Sequence, residues 1–307
     1  MPALPPNILA DLHRWLATGR PMDDTPPARL AVIGDPIAHS RSPAMHQPAL
    51  DAHGLDMRYI RLHIRPGEVA DAFAAMRALG FVGCNVTVPH KAEALAACDH
   101  VSPSARLFGA VNTVRFEADG SISGSNTDGP GLAAAVHESF GLPLSAHRVA
   151  IIGAGGGAGR AAALQCALDN CAGLVLVNRT TAKAGAVAAE IAATSPALPI
   201  RIVAIDDTPE LRAALASCTL LVQATTVGMR PDDPSPIDPT CLHPALSVFD
   251  MIYTPPETRL LAAARALGAP AANGLAMLIH QGALSFATWF GTPPPVAIMR
   301  QALAAQD

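Results

Sequence analysis

The stretch VAIIGAGGGAGRAAALQCAL, residues 149–168, limits the fold of this chain more than any other part of the sequence. An apolar run typical of a buried strand leads straight into a glycine-rich turn, and an Ala-rich helical sequence follows at once. Glycines permit a tight turn and let the backbone approach a pyrophosphate, whose charge is favoured at a helix N-terminus. The stretch therefore predicts a dinucleotide-binding α/β unit, with a purely structural glycine turn as the alternative.

The glycines fit the dinucleotide pattern GxGxxG only in the form GxGxxA, with Ala158 in third place. The next strand ends in LVLVNRTTAK, residues 174–183, which has no acid for the ribose of NAD but offers Arg179 and Lys183 to a 2′-phosphate. NADP(H) is the predicted cofactor, with a solvated arginine at a strand end as the alternative. The predicted contacts are Gly153, Ala154, Gly155, Gly156, Gly157, Ala158, Asn178, Arg179, Thr180 and Lys183.

Short apolar runs alternate with Ala-rich helical segments along the rest of the chain. LAVIG (30–34), MRYIRLHI (57–64) and GFVGCNVTV (80–88) form one series of predicted strands, and a second series begins at HRVAIIG (147–153). This alternation predicts βαβ units, and 307 residues suffice for two domains. We predict two α/β domains, the first with a parallel or mixed sheet and the second of the dinucleotide-binding type, with a small-molecule site in the cleft between them.

Residues 1–28 precede the first of these predicted strands and are taken as an N-terminal extension. The extension is expected to form one helix from Asn7 to Thr18. The stretch GSNTDGPG, residues 124–131, is interpreted as a turn between the domains, in which Gly-Pro-Gly holds the backbone open before a helix.

Charge and composition favour small-molecule partners. The net charge of −4 predicts no nucleic-acid surface, and no uninterrupted apolar run reaches the roughly 18 residues of a membrane span. The six cysteines show no CxxC pair and the histidines no metal-binding spacing, which predicts reduced core thiols, no metal and a cytoplasmic location. The N-terminus lacks a secretory pattern, and a monomer or homodimer is expected.

Eight motifs run from about residue 30 to the C-terminus: VIGDPIAHSRSPAMH (32–46), GCNVTVPHK (83–91), GAVNTV (109–114), NTDGPG (126–131), NRT (178–180), QATTVGM (223–229), DMIYTPPETRLL (250–261) and GLAMLIHQ (274–281). In content, order and spacing they closely resemble the shikimate dehydrogenase family. The resemblance implies reversible NADPH-dependent reduction of 3-dehydroshikimate to shikimate, a step of chorismate and aromatic amino-acid biosynthesis. It also implies an N-terminal catalytic domain with a mixed sheet, residues 29–130 plus 275–307, to which a C-terminal helical segment returns. A Rossmann NADP-binding domain of residues 131–274 and an active-site cleft between the two domains complete the implied α/β fold.

The resemblance implies that Asp128 is a catalytic, substrate-binding aspartate partnered with Lys91. Pro89 suits the first position of a helix, so Lys91 is expected in the first helical turn. The helix dipole opposes a positive charge there by only about 0.3 to 1 kcal/mol, far too little to make Lys91 a neutral base. We expect Lys91 to act as an ammonium that donates to the developing alkoxide while Asp128 orients it. The residues alone would suggest a solvated lysine and a helix cap.

The resemblance also implies a set of side chains that bind the substrate. Ser40 and Ser42 match ligands of the substrate carboxylate, with Tyr253 nearby, and turn chemistry is the alternative for the serines. The implied partners of the ring hydroxyls are Asn85, Thr87, Asn112, Thr127 and Gln281. Such partners are needed because each unpaired buried polar group costs roughly 1 to 3 kcal/mol. The remaining cofactor positions are Thr225, Met251 and Gly274.

Gln281 has a second argument, from helical spacing. Leu278, Leu284 and Ser285 recur with it at intervals of three and four residues, which predicts that the glutamine shares a face with apolar neighbours and needs a partner there. A core glutamine bonded to backbone is the alternative.

Three features depart from the family pattern. The glycine loop is one residue longer than GAGGAxR, which shifts Arg160 relative to the family pattern and leaves its contact with the pyrophosphate open, and Gln47 and Gln223 replace asparagines. No catalytic group is lost, so activity is expected. The alternatives are a quinate or quinate/shikimate dehydrogenase, a methylenetetrahydrofolate dehydrogenase, whose own motifs are absent, and a catalytically silent NADP-binding regulator. Ser42, Thr87 and the Arg179/Lys183 pair favour shikimate and NADP.

Overall fold

The computed structural model describes residues 7–19 and 26–305. The chain divides into two compact units, the first made of Met1–Thr127 with Gln281–Asp307 and the second of Asp128–His280. The sequence prediction put the same two transitions after residues 130 and 274.

The first unit is built on a mixed seven-stranded sheet in the order β1-β3-β2-β4-β6-β7-β5. Strands β1 to β4 run parallel, and β6 is antiparallel to both β4 and β7. The mixed sheet confirms the predicted fold class. The strands are β1 (Asn7–Ile8), β2 (Ala28–Gly34), β3 (Arg58–His63), β4 (Gly83–Val86), β5 (His100–Val101), β6 (Thr113–Phe116) and β7 (Ile122–Ser125).

Helices cover this sheet because their apolar residues recur every three or four positions. In α3, Val69, Ala72, Phe73 and Met76 form one buried stripe that packs in the same core as Leu62 of β3. The helices of this part of the chain are α1 (Leu9–Thr18), α2 (Ser42–Ala52), α3 (Val69–Ala78), α4 (Lys91–Ala96) and α5 (Pro103–Phe108).

The N-terminal segment belongs to this unit and differs from its prediction. The expected helix begins at Leu9 rather than Asn7, because Asn7 and Ile8 pair in parallel with Leu62 and His63 at the edge of β3. An unpaired strand edge offers free N–H and C=O groups, and this pairing satisfies some of them. The helix ends at Gly19, which adopts a left-handed conformation, as a C-terminal glycine often does.

The second unit has a six-stranded, entirely parallel sheet in the order β10-β9-β8-β11-β12-β13. Counted from its own first strand, this is the order 3-2-1-4-5-6 of a Rossmann fold, which confirms the prediction. Its strands are β8 (Arg148–Ile152), β9 (Gly173–Asn178), β10 (Ile200–Ala204), β11 (Leu220–Gln223), β12 (Ser247–Asp250) and β13 (Ala271–Asn273).

Helices alternate with these strands as the sequence pattern predicts. They are α6 (Asp128–Phe140), α7 (Gly157–Leu168), α8 (Thr181–Thr194), α9 (Thr208–Leu215) and α10 (Arg259–Ala266). Helix α11 (Leu275–Phe290) carries the chain back to the first unit, which also contains α12 (Val296–Ala304). None of the helices described is long and apolar enough to cross a membrane.

Candidate active site

A buried polar cluster lies at the centre of the first unit, where β4 meets β6 and α11. The side-chain amide of Asn85 donates to the Ser285 hydroxyl at 2.9 Å and to the Asn112 carbonyl at 3.2 Å. Its oxygen accepts from the Tyr59 hydroxyl at 2.7 Å. Since burial raises the pKa of Tyr59 well above its ordinary value, that hydroxyl is neutral and donates. Asn85, on β4, thus bonds to side chains of β3 and α11 and to the backbone just before β6.

Two further predicted substrate ligands belong to the same cluster. The side-chain oxygen of Asn112 accepts from the Thr127 backbone N–H at 2.8 Å, and its amide donates to the Thr127 hydroxyl at 3.0 Å. Thr113 connects them to the helix, because its hydroxyl lies 2.7 Å from that of Ser285. The structure therefore brings Asn85, Asn112 and Thr127 together.

Thr113 and Ser285 have no role in the sequence prediction, although Ser285 stood on the face assigned to Gln281. That predicted face also needs a correction. Leu284 is 38% exposed whereas Ser285 is fully buried, so the buried stripe of α11 passes through Ser285, Phe286 and Trp289. The Gln281 carbonyl accepts from the Ser285 hydroxyl at 3.0 Å.

Ser40 and Ser42 lie on either side of the start of helix α2. Ser42 is the first helical residue and is buried, and its backbone N–H donates to the Ser40 hydroxyl oxygen at 3.3 Å. The Ser40 N–H donates in turn to the Ile37 carbonyl at 3.0 Å. The two predicted carboxylate ligands therefore form one ordered turn.

Lys91 is the first residue of helix α4, as predicted, but Pro89 does not begin that helix. A turn intervenes between strand and helix, closed by the His90 N–H donating to the Thr87 carbonyl at 3.0 Å. The buried His90 ring anchors this turn, since Nε2 lies 2.7 Å from the Ile64 carbonyl oxygen. The Lys91 carbonyl accepts from the Val111 N–H at 2.9 Å, which fixes the start of the helix.

Asp128 is the first residue of helix α6 and of the second unit. The Gly-Pro-Gly that follows is helical rather than open, which corrects the prediction. Pro130 is tolerated because the first turn of a helix needs no partner for its N–H groups. Gly124 and Ser125 likewise end strand β7 instead of forming a turn. Tyr253 lies in the segment after β12, also in the second unit.

The glycine loop between β8 and α7 is packed so closely that several of its positions have no room for a side chain. Gly153 has a φ of +82°, and a Cβ there would lie 2.5 Å from the Thr225 methyl group. A Cβ on Gly159 would collide with the Gly153 carbonyl, whereas Ala158 is exposed. Gly159 therefore takes the helix-packing role that the sequence analysis gave to Ala158. The sequence already contains this glycine, one position later than the motif expects because the loop is one residue longer.

The end of β9 presents cations beside this loop. Asn178 accepts from the Gly155 N–H at 3.3 Å and donates to the Thr180 carbonyl at 2.9 Å, so it joins the loop to the strand end. Arg179 and Lys183 are exposed, and within the part of the chain described neither forms an ion pair. A glycine loop at the N-terminus of α7, next to these two exposed cations, fits a dinucleotide with a 2′-phosphate.

Arg160 is engaged elsewhere. Its Nε and Nη2 donate to the Glu190 carboxylate of helix α8 at 2.9 and 2.5 Å. The extra loop residue thus coincides with an arginine that is paired with Glu190 within the protein.

Gln223 organises the loop after β11. The fully buried side chain accepts from the Thr225 N–H at 2.7 Å and donates to the carbonyls of Thr225 and Val227 at 3.2 and 3.0 Å. At the neighbouring strand, a Cβ on Gly274 would collide with the Met251 carbonyl. The three remaining predicted cofactor positions, Thr225, Met251 and Gly274, therefore lie in close-packed turns at the carboxyl ends of parallel strands or just beyond them.

The strand order, the glycine loop and the cations at the end of β9 define a dinucleotide-binding protein of the Rossmann class. Comparison with known proteins is more specific. The family model for the shikimate dehydrogenase substrate-binding domain matches residues 32–114, and the model for the shikimate 5′-dehydrogenase C-terminal domain matches residues 274–304.

Individual relatives cover almost the whole chain. A protein of Symbiobacterium thermophilum named shikimate dehydrogenase (NADP(+)) is 43% identical over 90% of this chain and 93% of its own. The Thermus thermophilus shikimate 5-dehydrogenase, solved with NADP(H) and shikimate, is 37% identical, with a TM-score of 0.78 over 91% of this chain and 99% of its own. A Corynebacterium glutamicum quinate dehydrogenase, solved with NAD, is 32% identical, with a TM-score of 0.81 over 90% and 98%. The chain belongs to the shikimate dehydrogenase family.

Proposed function

We propose that this chain catalyses the reversible NADPH-dependent reduction of 3-dehydroshikimate to shikimate in chorismate and aromatic amino-acid biosynthesis. The observation that carries the proposal is the buried cluster of amides and hydroxyls, which lies largely in the region that matches the family's substrate-binding domain. A ring with several hydroxyl groups needs such partners when it leaves water. The relative named shikimate dehydrogenase (NADP(+)), aligned over nine-tenths of the chain, supports the same substrate.

The second unit fits NADP(H). The loop backbone near Gly153 and the N-terminus of α7 suit the pyrophosphate, and Arg179 with Lys183 suits the 2′-phosphate. When bound, NADPH supplies the hydride. The role of this chain is to hold and orient it, and we assign cofactor binding to residues 128–280 and most of substrate binding to residues 1–127 with 281–307.

Proton transfer is assigned to Lys91. Its ammonium Nζ donates a proton to the substrate oxygen that becomes a hydroxyl, and the Asp128 carboxylate orients that ammonium. Support comes from the family motifs that contain both residues and from the fixed helix starts at which they lie. Ser40 and Ser42 bind the substrate carboxylate, with Tyr253 beside them, while Asn85, Thr87, Asn112, Thr127 and Gln281 select the ring hydroxyls.

The cellular location and the oligomeric state complete the proposal. All six cysteines are free, and five of them are buried, which is the pattern of a protein from a reducing compartment. We therefore assign the chain to the cytoplasm. A monomer or homodimer stays a prediction, which sedimentation of the purified protein would test.

Initial rates with shikimate and quinate, each with NADP and NAD, test the function. We expect fast turnover with shikimate and NADP alone. The second candidate, a quinate dehydrogenase, is favoured by the similarity to the Corynebacterium glutamicum enzyme. Faster turnover of quinate would support that candidate and refute the specificity assigned to Ser42 and Thr87. Absence of turnover with every pair would support a silent NADP-binding regulator.

A further inference from the structure

Arg61 lies on strand β3, on the side of the sheet that holds the buried polar cluster. Side chains alternate along a strand, so Arg61 shares its side with Tyr59, whose hydroxyl donates to Asn85. Leu62 points the other way, into the apolar core. The strand thus places an arginine two residues from a member of the cluster.

The guanidinium of Arg61 holds the turn that contains the predicted carboxylate ligands. Its Nε and Nη2 both donate to the Ser40 carbonyl oxygen, at 2.9 and 2.7 Å. The Ser40 hydroxyl oxygen accepts from the Ser42 N–H. Arg61 therefore fixes Ser40 directly and contacts the turn from which Ser42 enters helix α2.

Among the described residues, no carboxylate forms an ion pair with the guanidinium of Arg61. The side chain is partly buried, and this burial lowers the pKa of Arg61. Within residues 7–19 and 26–305 it forms no ion pair, whereas Arg160, Arg201 and Arg265 each pair with a glutamate. The carboxylate of Asp35, just after the neighbouring strand β2, pairs with His63 instead, at 2.8 Å.

A cation that is partly withdrawn from water and lacks a counter-ion favours a nearby anion. The hydroxyls of Ser40 and Ser42 can donate hydrogen bonds to a carboxylate, but they bring no charge of their own. The turn held by Arg61 therefore combines neutral donors with an adjacent positive charge.

We propose that Arg61 determines specificity for a carboxylate substrate, by fixing the Ser40 turn and by supplying the positive charge that the two serines lack. This inference rests on the proposed function, since it deepens the assignment of Ser40 and Ser42. Arg61 acts as a positioning and electrostatic residue, and it leaves the chemical step to Lys91.

Two variants separate charge from hydrogen bonding. Arg61→Gln keeps an N–H donor but removes the charge, and Arg61→Lys keeps the charge but not the paired donors. With shikimate we expect Arg61→Gln to raise KM by about tenfold or more while kcat stays within about threefold. With the uncharged methyl ester of shikimate, KM should change less than about threefold. Arg61→Lys should lie between wild type and Arg61→Gln with shikimate.

Arg58→Gln is the matched control, because Arg58 lies on the same strand and also donates to a backbone carbonyl, that of Pro26. It should leave the preference for the acid over the ester unchanged. An equal rise of KM for shikimate and for its methyl ester in Arg61→Gln would overturn the proposal and leave Arg61 as a support for the turn. An unchanged KM for both compounds would overturn it as well. Wild-type protein without shikimate turnover would instead refute the proposed function.

Discussion

At the scale of single residues, His46 is completely buried, and its ring forms no hydrogen bond with the described residues. Neither ring nitrogen has a hydrogen-bond partner among the residues described, and the ring stacks on Tyr59 with centroids 4.6 Å apart. Desolvation lowers the pKa of His46 from 6.5 to about 3, so the ring is neutral at physiological pH. As the partner of Tyr59, the neutral ring supports the hydroxyl that orients Asn85.

His46 makes the stability of the first unit depend on pH. Below pH 6.5 the unfolded chain takes up a proton at this residue and the folded chain does not, so the contribution is complete above pH 6.5 and is lost as the pH falls towards 3. At pH 5 the loss amounts to about 2 kcal/mol. Urea unfolding at pH 7 and pH 5 should show this loss in wild type and much less of it in His46→Phe. The exposed His13→Gln should behave as wild type, and an equal pH dependence in His46→Phe would contradict the prediction.

Lysine is unusually rare in this chain. Lys91 and Lys183 are its two lysines, although Lys and Arg together number 21. Both are assigned to the reaction, one to proton transfer and the other to the cofactor phosphate. Arginine supplies the remaining positive charge.

Substitution of each lysine should give a different kinetic defect. Lys91→Met should lower kcat by about 100-fold or more, because it removes the proton donor. Lys183→Met should raise KM for NADP and leave kcat within about threefold. Steady-state kinetics with shikimate and NADP measures both. A kcat of Lys91→Met within threefold of wild type would refute the assignment.

At the scale of elements, strand β1 and helix α1 extend the first unit beyond the matched family region. Leu12 is fully buried in the core beneath the sheet, together with Phe73 of α3. The Trp15 ring packs edge-on against Phe81, and the Arg29 guanidinium lies 6.0 Å from its centroid. The segment is thus part of the core.

Shortening a buried side chain of α1 should remove part of this packing and lower the stability of the protein. Leu12→Ala removes a buried side chain and should lower the free energy of unfolding by about 2 to 5 kcal/mol. Leu16→Ala on the same helix is the control, since Leu16 is 41% exposed and should cost about 0.5 kcal/mol or less. Urea unfolding of the two variants measures the difference. Similar small losses in both would mean that α1 is not docked in solution.

At the scale of the whole molecule, each unit has its own apolar core. One core gathers residues from Leu12 to Ile122, and the other gathers residues from Ala150 to Ala269. The second unit is also one continuous stretch of chain, and it contains every predicted cofactor residue.

Residues 128–280 should therefore fold alone and bind NADPH without turning over shikimate. Circular dichroism tests folding, and NADPH fluorescence tests binding. In this fragment, Arg179→Ala should weaken NADPH about tenfold or more and leave NADH nearly unchanged, because only NADPH has the 2′-phosphate. An unfolded fragment would show that the second core depends on the first unit, and equal weakening of both cofactors would give Arg179 a structural role.

The sequence by itself determined the features that depend only on residues close together along the chain. Strand, glycine turn and helix follow one another within residues 149–168, so local periodicity was enough to predict the Rossmann unit and its cations at the end of β9. Most long apolar runs became strands for the same reason. The short strands β1, β5, β6, β7 and β13 escaped prediction, since two to four residues carry too little periodicity and their pairing is made with other strands.

The tertiary structure alone decided which side chains meet. Asn85 bonds Ser285 across 200 residues of sequence, and Arg61 holds Ser40 across 21. No local pattern reports such contacts, because the first arises only when the sheet and α11 pack together and the second only when β3 meets the turn before α2. Gly159 illustrates the same limit on a smaller scale. The motif predicted a close approach of helix and strand, but only the folded loop, longer by one residue, showed that Gly159 rather than Ala158 makes it.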